Sequence, residues 1–200
     1  MTIFLVSLSS LLNGASGLIN AYGLPAIFLL MVLESASLPI PSEVVIPLTG
    51  LLAAKGLFSP YLALAVLLAA GIIGMTIDYY LAYFVEKDIV YRHLRAFRIK
   101  KEHLDTFDRW FERNGRFAVF IGRMLPEVRG LVSLPAGFTK MPKRDFYLYS
   151  IAGTIIWDVA LLSFGYYALN ANNVYVAMVA VAIFATVIYV LYKLTVKKQH

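Results

Sequence analysis

The sequence has no cysteine, only three histidines and no charged residue before Glu34. Without cysteine there are no disulfides, no thiolate metal sites and no cysteine nucleophile. His93, His103 and His200 all sit in charged stretches, so a buried histidine metal centre is not expected. Only 15% of residues are charged and 60% are apolar, where soluble domains carry about 25% and 45–50%. Mean hydropathy is +0.73. These figures exclude disorder, a secreted disulfide scaffold and most soluble folds. They predict an integral membrane protein. No G-x-x-x-x-G-K-S/T motif is present, which excludes an ATP-driven pump within this chain. The lack of H-E-x-x-H and G-x-S-x-G argues against an intramembrane hydrolase. Neither an enzyme activity nor a metal or cofactor is expected.

What charge there is falls unevenly. The net charge is +6. In a membrane protein such an excess reports orientation and anionic headgroups rather than nucleic acid. Segment 86–116 holds nine of the 18 lysines and arginines, Lys140, Lys143 and Arg144 follow, and Lys193, Lys197 and Lys198 close the chain. Basic residues beside membrane spans mark the cytoplasmic side. All three groups, and with them the C-terminus, are therefore expected in the cytoplasm. Spans are expected over 61–85, 146–169 and 174–192, each long enough to cross about 30 Å of hydrocarbon at about 1.5 Å per residue. Residues 2–12 are too short to span and are expected to lie at the interface.

Two apolar segments do not fit a simple crossing. Segment 117–139 is flanked by basic residues on both sides and broken by Pro126. Irregular backbone at membrane depth survives only when buried in protein or facing water. A re-entrant hairpin entering from the cytoplasm satisfies both facts. Segment 24–54 is broken by Pro39 and Pro41 and again by Pro47, and it leads into a span that begins outside, so it is expected to be a hairpin entering from the opposite face. The halves also share landmarks. Pro47-Leu48-Thr49-Gly50, Ser59-Pro60, Gly74 and Asp78 correspond to Pro135-Ala136-Gly137, Met141-Pro142, Gly153 and Asp158. An inverted repeat with broken helices meeting at the midplane is a transporter architecture. The expected fold is thus an all-α membrane protein with two oppositely oriented re-entrant hairpins and about three transmembrane helices.

The ionisable residues cluster at these breaks. Arg123 and Arg129, six residues apart, would point to different faces of an unbroken helix. A break at Pro126 lets both guanidiniums converge, and each presents a planar fork suited to carboxylate or phosphate. Intramembrane arginine costs at least ~2.5 kcal/mol on insertion scales, which favours a function over an incidental position. Glu34 and Glu43 flank the first break in the same manner. Ser42 is placed to cap the helix that follows, whose dipole stabilises a nearby anion. Such a carboxylate pair is suited to proton exchange. Asp78, Glu127 and Asp158 are secondary candidates, with structural hydrogen bonding or local pairing as the alternative role for each. The segment around Leu104, Phe107, Trp110 and Phe111 predicts an amphipathic helix whose polar face carries Asp105, Asp108, Arg109, Glu112, Arg113 and Arg116, lying on the cytoplasmic membrane surface or packed as a connector on the bundle.

Glu34-Ser35-Ala36-Ser37-Leu38-Pro39-Ile40-Pro41-Ser42-Glu43, with Pro47 and Gly50, resembles the first hairpin signature of the DedA family, also called SNARE-associated or VTT-domain membrane proteins. Phe120-Ile121-Gly122-Arg123-Met124-Leu125-Pro126-Glu127-Val128-Arg129 resembles its second signature. Pro135-Ala136-Gly137 and Gly153 with Trp157 also fit, and the likeness runs from about residue 20 to about residue 190. The resemblance implies two opposed re-entrant hairpins. It also implies a transport role for polyprenyl-phosphate carrier lipid such as undecaprenyl phosphate, or for phospholipids in scramblase relatives, linked to the proton motive force. The family's acidic positions match Glu34 and Glu43, and its arginines match Arg123 and Arg129. Many members have Gly-Asp where this chain has Ser42-Glu43, one methylene longer at the carboxylate.

Residues and resemblance together predict a transporter in the plasma membrane of a prokaryote. Its expected partners are a membrane lipid phosphate and protons, with a homo-oligomer left open and no nucleic acid. A proton-coupled carrier of a small ion or drug, and a non-transporting membrane scaffold, are the alternatives.

Overall fold

A computed structural model describes residues 17–168, apart from 18, 20, 39, 97–100 and 127. The expected interfacial segment 2–12 and span 174–192 lie outside the described residues. So do two of the residues singled out above, Pro39 and Glu127.

Every regular element among the described residues is helical. Gly23, at φ +59°, turns the chain into α1, Leu24–Ser35. After a break, α2 runs Ser42–Ala54, and it continues through Pro47. This corrects the second break expected there: the proline, five positions into the helix, costs one backbone hydrogen bond without ending it. Pro41 occupies its cap position and Ser42 is already helical, with no side-chain cap. This corrects the capping role expected of Ser42: the cap position falls on Pro41, which has no side-chain oxygen to accept a backbone N–H. Glu43 lies in the first turn, where the helix dipole favours an anion.

The long helix α3, Pro60–Phe84, has proline in its first turn, and α8, Lys143–Ser163, passes into a π-helical turn, Phe164–Ala168. Both are long and apolar enough to cross a membrane. On α3, Ala63, Leu67, Ala70, Gly74, Asp78 and Ala82 are buried, while Leu62, Ile73, Ile77, Leu81 and Phe84 are exposed. Spacings of three and four residues put each set on its own face. A continuous outward stripe of large apolar side chains has no favourable partner in water and matches lipid.

Between α3 and α8 lie α4, Lys87–Ala96, α5, Lys101–Asn114, the short α6, Arg116–Arg123, an irregular turn around Pro126, and α7, Ser133–Phe138. Asp108 was expected on the outer polar face of α5. It is instead buried, accepting a 2.6 Å hydrogen bond from Tyr91 and pairing with Lys87 at 2.5 Å. The cause is α4, which folds back on α5 and covers that face.

Packing exchanges the parts of the two broken segments. Helix α1 packs on α3, and α6 packs on α8. The second arms cross over, α2 onto α8 and its π-helical turn, α7 onto α3. Gly74 makes the first contact possible: a Cβ there would lie 2.5 Å from the Val32 carbonyl oxygen. Gly153 does the same for the second, where a Cβ would lie 2.7 Å from the Phe120 carbonyl oxygen. One apolar cluster, with Ile27, Met31, Ile46 and Leu67, fills the α1–α2 end. Another, with Met75, Tyr79, Val119 and Phe146, fills the α6–α7 end.

Candidate functional site

The buried charges gather where the two breaks meet. Glu34 lies at the end of α1, Arg123 ends α6, Arg129 follows Pro126 in the second break, and Asp158 lies in the C-terminal half of α8. All four are at most 5% exposed. Burial this deep is tolerated only for paired charges.

Arg129 is the hub. Its Nε lies 3.1 Å from Glu34 Oε1, and its Nη2 lies 3.7 Å from Asp158 Oδ1. The indole of Trp157 lies against the guanidinium, 5.7 Å from ring centre to Cζ. Ser35 Oγ donates to Glu34 Oε2 at 3.1 Å, fixing the carboxylate. Arg129 Nη1 has no hydrogen-bond partner among the described residues, and neither carboxylate oxygen of Asp158 receives one. The site therefore holds a guanidinium between two anions with donor capacity still unused.

Arg123 does different work. Its Nη1 donates to the Arg129 carbonyl at 2.9 Å and its Nη2 to Ser133 Oγ at 2.5 Å. Each terminal nitrogen thus has one partner within the second break, while Arg123 Nε, like Arg129 Nη1, has none among the described residues. Both arginines are buried beside the second break, and Arg123 reaches the backbone of Arg129. Arg123 ties the backbone that carries Arg129.

The remaining candidates are placed as follows. Asp78, buried on α3, accepts a hydrogen bond from Ser37 Oγ. Glu43, half-buried at the start of α2, interacts electrostatically with Arg129 and Glu34 without reaching ion-pair distance of either arginine. Pro41 and Pro126 mark the two breaks. Among the described residues no group of three or more His, Cys, Asp or Glu is placed to hold a metal ion. Sequence reading missed Ser37 and Ser133, and it gave Trp157 no role. Small hydroxyl residues inside apolar runs broken by proline were the available signal for the two serines. The stacking of Trp157 on a residue 28 positions away carried none.

Comparison with known proteins places this arrangement in context. The family model described as VTT domain matches residues 40–167. Undecaprenyl phosphate transporter A of Staphylococcus aureus is 32% identical over 151 residues, covering 74% of each chain. An uncharacterized membrane protein of Synechocystis is 33% identical over 150 residues, 75% of this chain and 69% of its own. Undecaprenyl phosphate transporter A of Bacillus subtilis is 28% identical over 126 residues, 63% of this chain and 64% of its own. No solved structure matches.

Proposed function

This chain belongs to the VTT-domain (DedA) family, and from that premise we propose that it moves a lipid phosphate across the membrane, binding the headgroup at Arg129. Two relatives bear the name of an undecaprenyl phosphate transporter, so polyprenyl phosphate is the first substrate to test and phospholipid the second. The observation that carries the reading is Arg129: buried, held between Glu34 and Asp158, with Nη1 lacking a partner among the described residues.

A phosphate monoester is costly to desolvate unless charge-assisted hydrogen bonds replace its water. Arg129 offers such bonds, and its two carboxylate partners can be exchanged for the phosphate oxygens. Arg123 adds positive charge nearby and holds the backbone under Arg129. Once phosphate takes the guanidinium, Glu34 loses its counter-charge in a medium of low dielectric and accepts a proton. Glu43, already within electrostatic reach of Glu34, is the group that relays it. Substrate and proton then compete for one arginine, which is a minimal coupling device. The two broken segments act as re-entrant hairpins from opposite faces. Support comes from their exchanged packing, α1 on α3 with α7, and α6 on α8 with α2. The prenyl or acyl tail stays in lipid, beside the outward apolar stripe of α3. No catalytic step is involved.

The test pairs stability with affinity. Arg129→Lys keeps the charge but loses the fork. It should remain folded and lose roughly 2–5 kcal/mol of affinity for a short-chain polyprenyl phosphate. Arg123→Lys should lose more stability and less affinity. Native-like affinity in folded Arg129→Lys removes the phosphate site. Transport of a small ion but no lipid phosphate in proteoliposomes would favour the ion-carrier alternative.

A further inference from the structure

We infer that Ser37 and Asp78 form a proton-controlled latch that joins or releases the two helix breaks. The latch rests on the reading of the two broken segments as re-entrant hairpins that meet along the path of the lipid phosphate. It assigns that path a control element distinct from Arg129, Glu34 and Glu43.

Ser37 follows α1 in the left-handed region, at φ +62°. Its hydroxyl lies against two acceptors from different parts of the fold. One is the Asp78 carboxylate on α3, and the other is the Gly130 carbonyl in the second break, at 3.2 Å. The breaks touch at this point: a Cβ on Gly130 would lie 2.9 Å from the Glu34 carbonyl oxygen.

A serine hydroxyl has one proton to give. With Asp78 ionised, both neighbours are acceptors only, and the proton goes to the carboxylate because the charge-assisted bond is the stronger. The Gly130 carbonyl is then left facing lone pairs. With Asp78 protonated, its Oδ2–H donates to Ser37 Oγ, and the Ser37 proton passes to the Gly130 carbonyl. The chain Asp78–H···Ser37–H···Gly130 then links α3, the first break and the second. One proton enters from solvent each time the latch closes, and no other group changes. The charged groups acting on Asp78 are Arg123 from α6 and Glu34 from α1. Helix α7, which also packs on α3, carries no ionisable side chain between Ser133 and Phe138. Glu43 of α2 and Asp158 of α8 act on the arginines and on Glu34 rather than on Asp78.

Two substitutions separate the states. Asp78→Asn has the shape of the acid, and its amide donates to Ser37 Oγ at every pH, so the latch stays closed. Ser37→Ala removes the hydroxyl at a backbone conformation that costs alanine no more than serine. The measurement is amide hydrogen exchange at residues 38, 40 and 128–132 in the full chain, reconstituted in zwitterionic nanodiscs and corrected for intrinsic exchange rates. In the parent chain, protection should rise about fivefold from alkaline to acidic pH, the worth of one buried neutral hydrogen bond. Asp78→Asn should be protected at all pH values, and Ser37→Ala at none. A flat profile in the parent chain overturns the latch, as does a parent-like profile in either variant. Because no lipid phosphate is present, the latch can fail while the substrate reading stands, and the reverse.

Discussion

The pairing of Arg129 with Glu34 yields the sharpest prediction. Replacing Arg129 by methionine keeps much of the side-chain volume and removes the only guanidinium within ion-pair distance of either Glu34 or Asp158 among the described residues. At 3.1 Å, and with an effective dielectric of ~20, the Glu34 contact is worth about 5 kcal/mol of attraction. That attraction offsets the desolvation of both ions, so its loss leaves a buried carboxylate uncompensated. The expected cost is about 3–5 kcal/mol. Adding Glu34→Gln removes the orphaned charge. The double variant should therefore be more stable than Arg129→Met alone, with a coupling energy of about 1–3 kcal/mol. Denaturant unfolding in detergent micelles, followed by intrinsic fluorescence to which Trp157 beside Arg129 contributes, measures all four corners of the cycle. Additive single effects would refute the pairing. So would a cost below about 1 kcal/mol for Arg129→Met, the range of a solvated surface pair.

Two further outcomes follow from other parts of the fold. Gly153→Ala would set a Cβ 2.7 Å from the Phe120 carbonyl oxygen and 2.8 Å from Arg123 Cβ. Helix backbone yields little, so the melting temperature should fall with a loss of about 1–3 kcal/mol, and an unchanged Tm would mean that α6 and α8 do not pack this closely. Arg144→Cys, on an exposed position of a chain with no native cysteine, should resist a membrane-impermeant thiol reagent added outside cells and react in inverted vesicles; labelling from outside would refute the re-entrant second hairpin.

Much of the architecture was legible because it depends on local chemistry. Proline at 41 and 126 falls at breaks, though Pro47 is carried inside α2, so a proline marks a candidate break and its neighbours decide it. The apolar stretch beginning at Pro60 has the length and outward face of a membrane helix for the same reason. Asp108 shows the limit. Its helical position predicted a solvated face, but α4 folds over it, and no periodicity within α5 encodes the neighbour that covers it. Ser42 failed as a cap because Pro41 took the position first.

The sequence by itself determined a helical membrane protein with charges beside two proline breaks in its apolar segments, and its motifs carried the likeness to the VTT-domain family. The helices and the charges at the breaks need only composition, spacing and the cost of ions and open backbone in lipid; the family rests on the likeness of its motifs. The tertiary structure alone decided which charge meets which. Glu34 and Arg129 are 95 positions apart, and Asp158 reaches the same guanidinium from α8. Arg123, chemically identical to Arg129, hydrogen-bonds the Arg129 carbonyl and Ser133 and pairs with neither carboxylate. Helical periodicity fixes the face on which a residue stands. It cannot name the partner brought to that face from a distant segment, and in a low-dielectric interior the partner determines what a charged group can do.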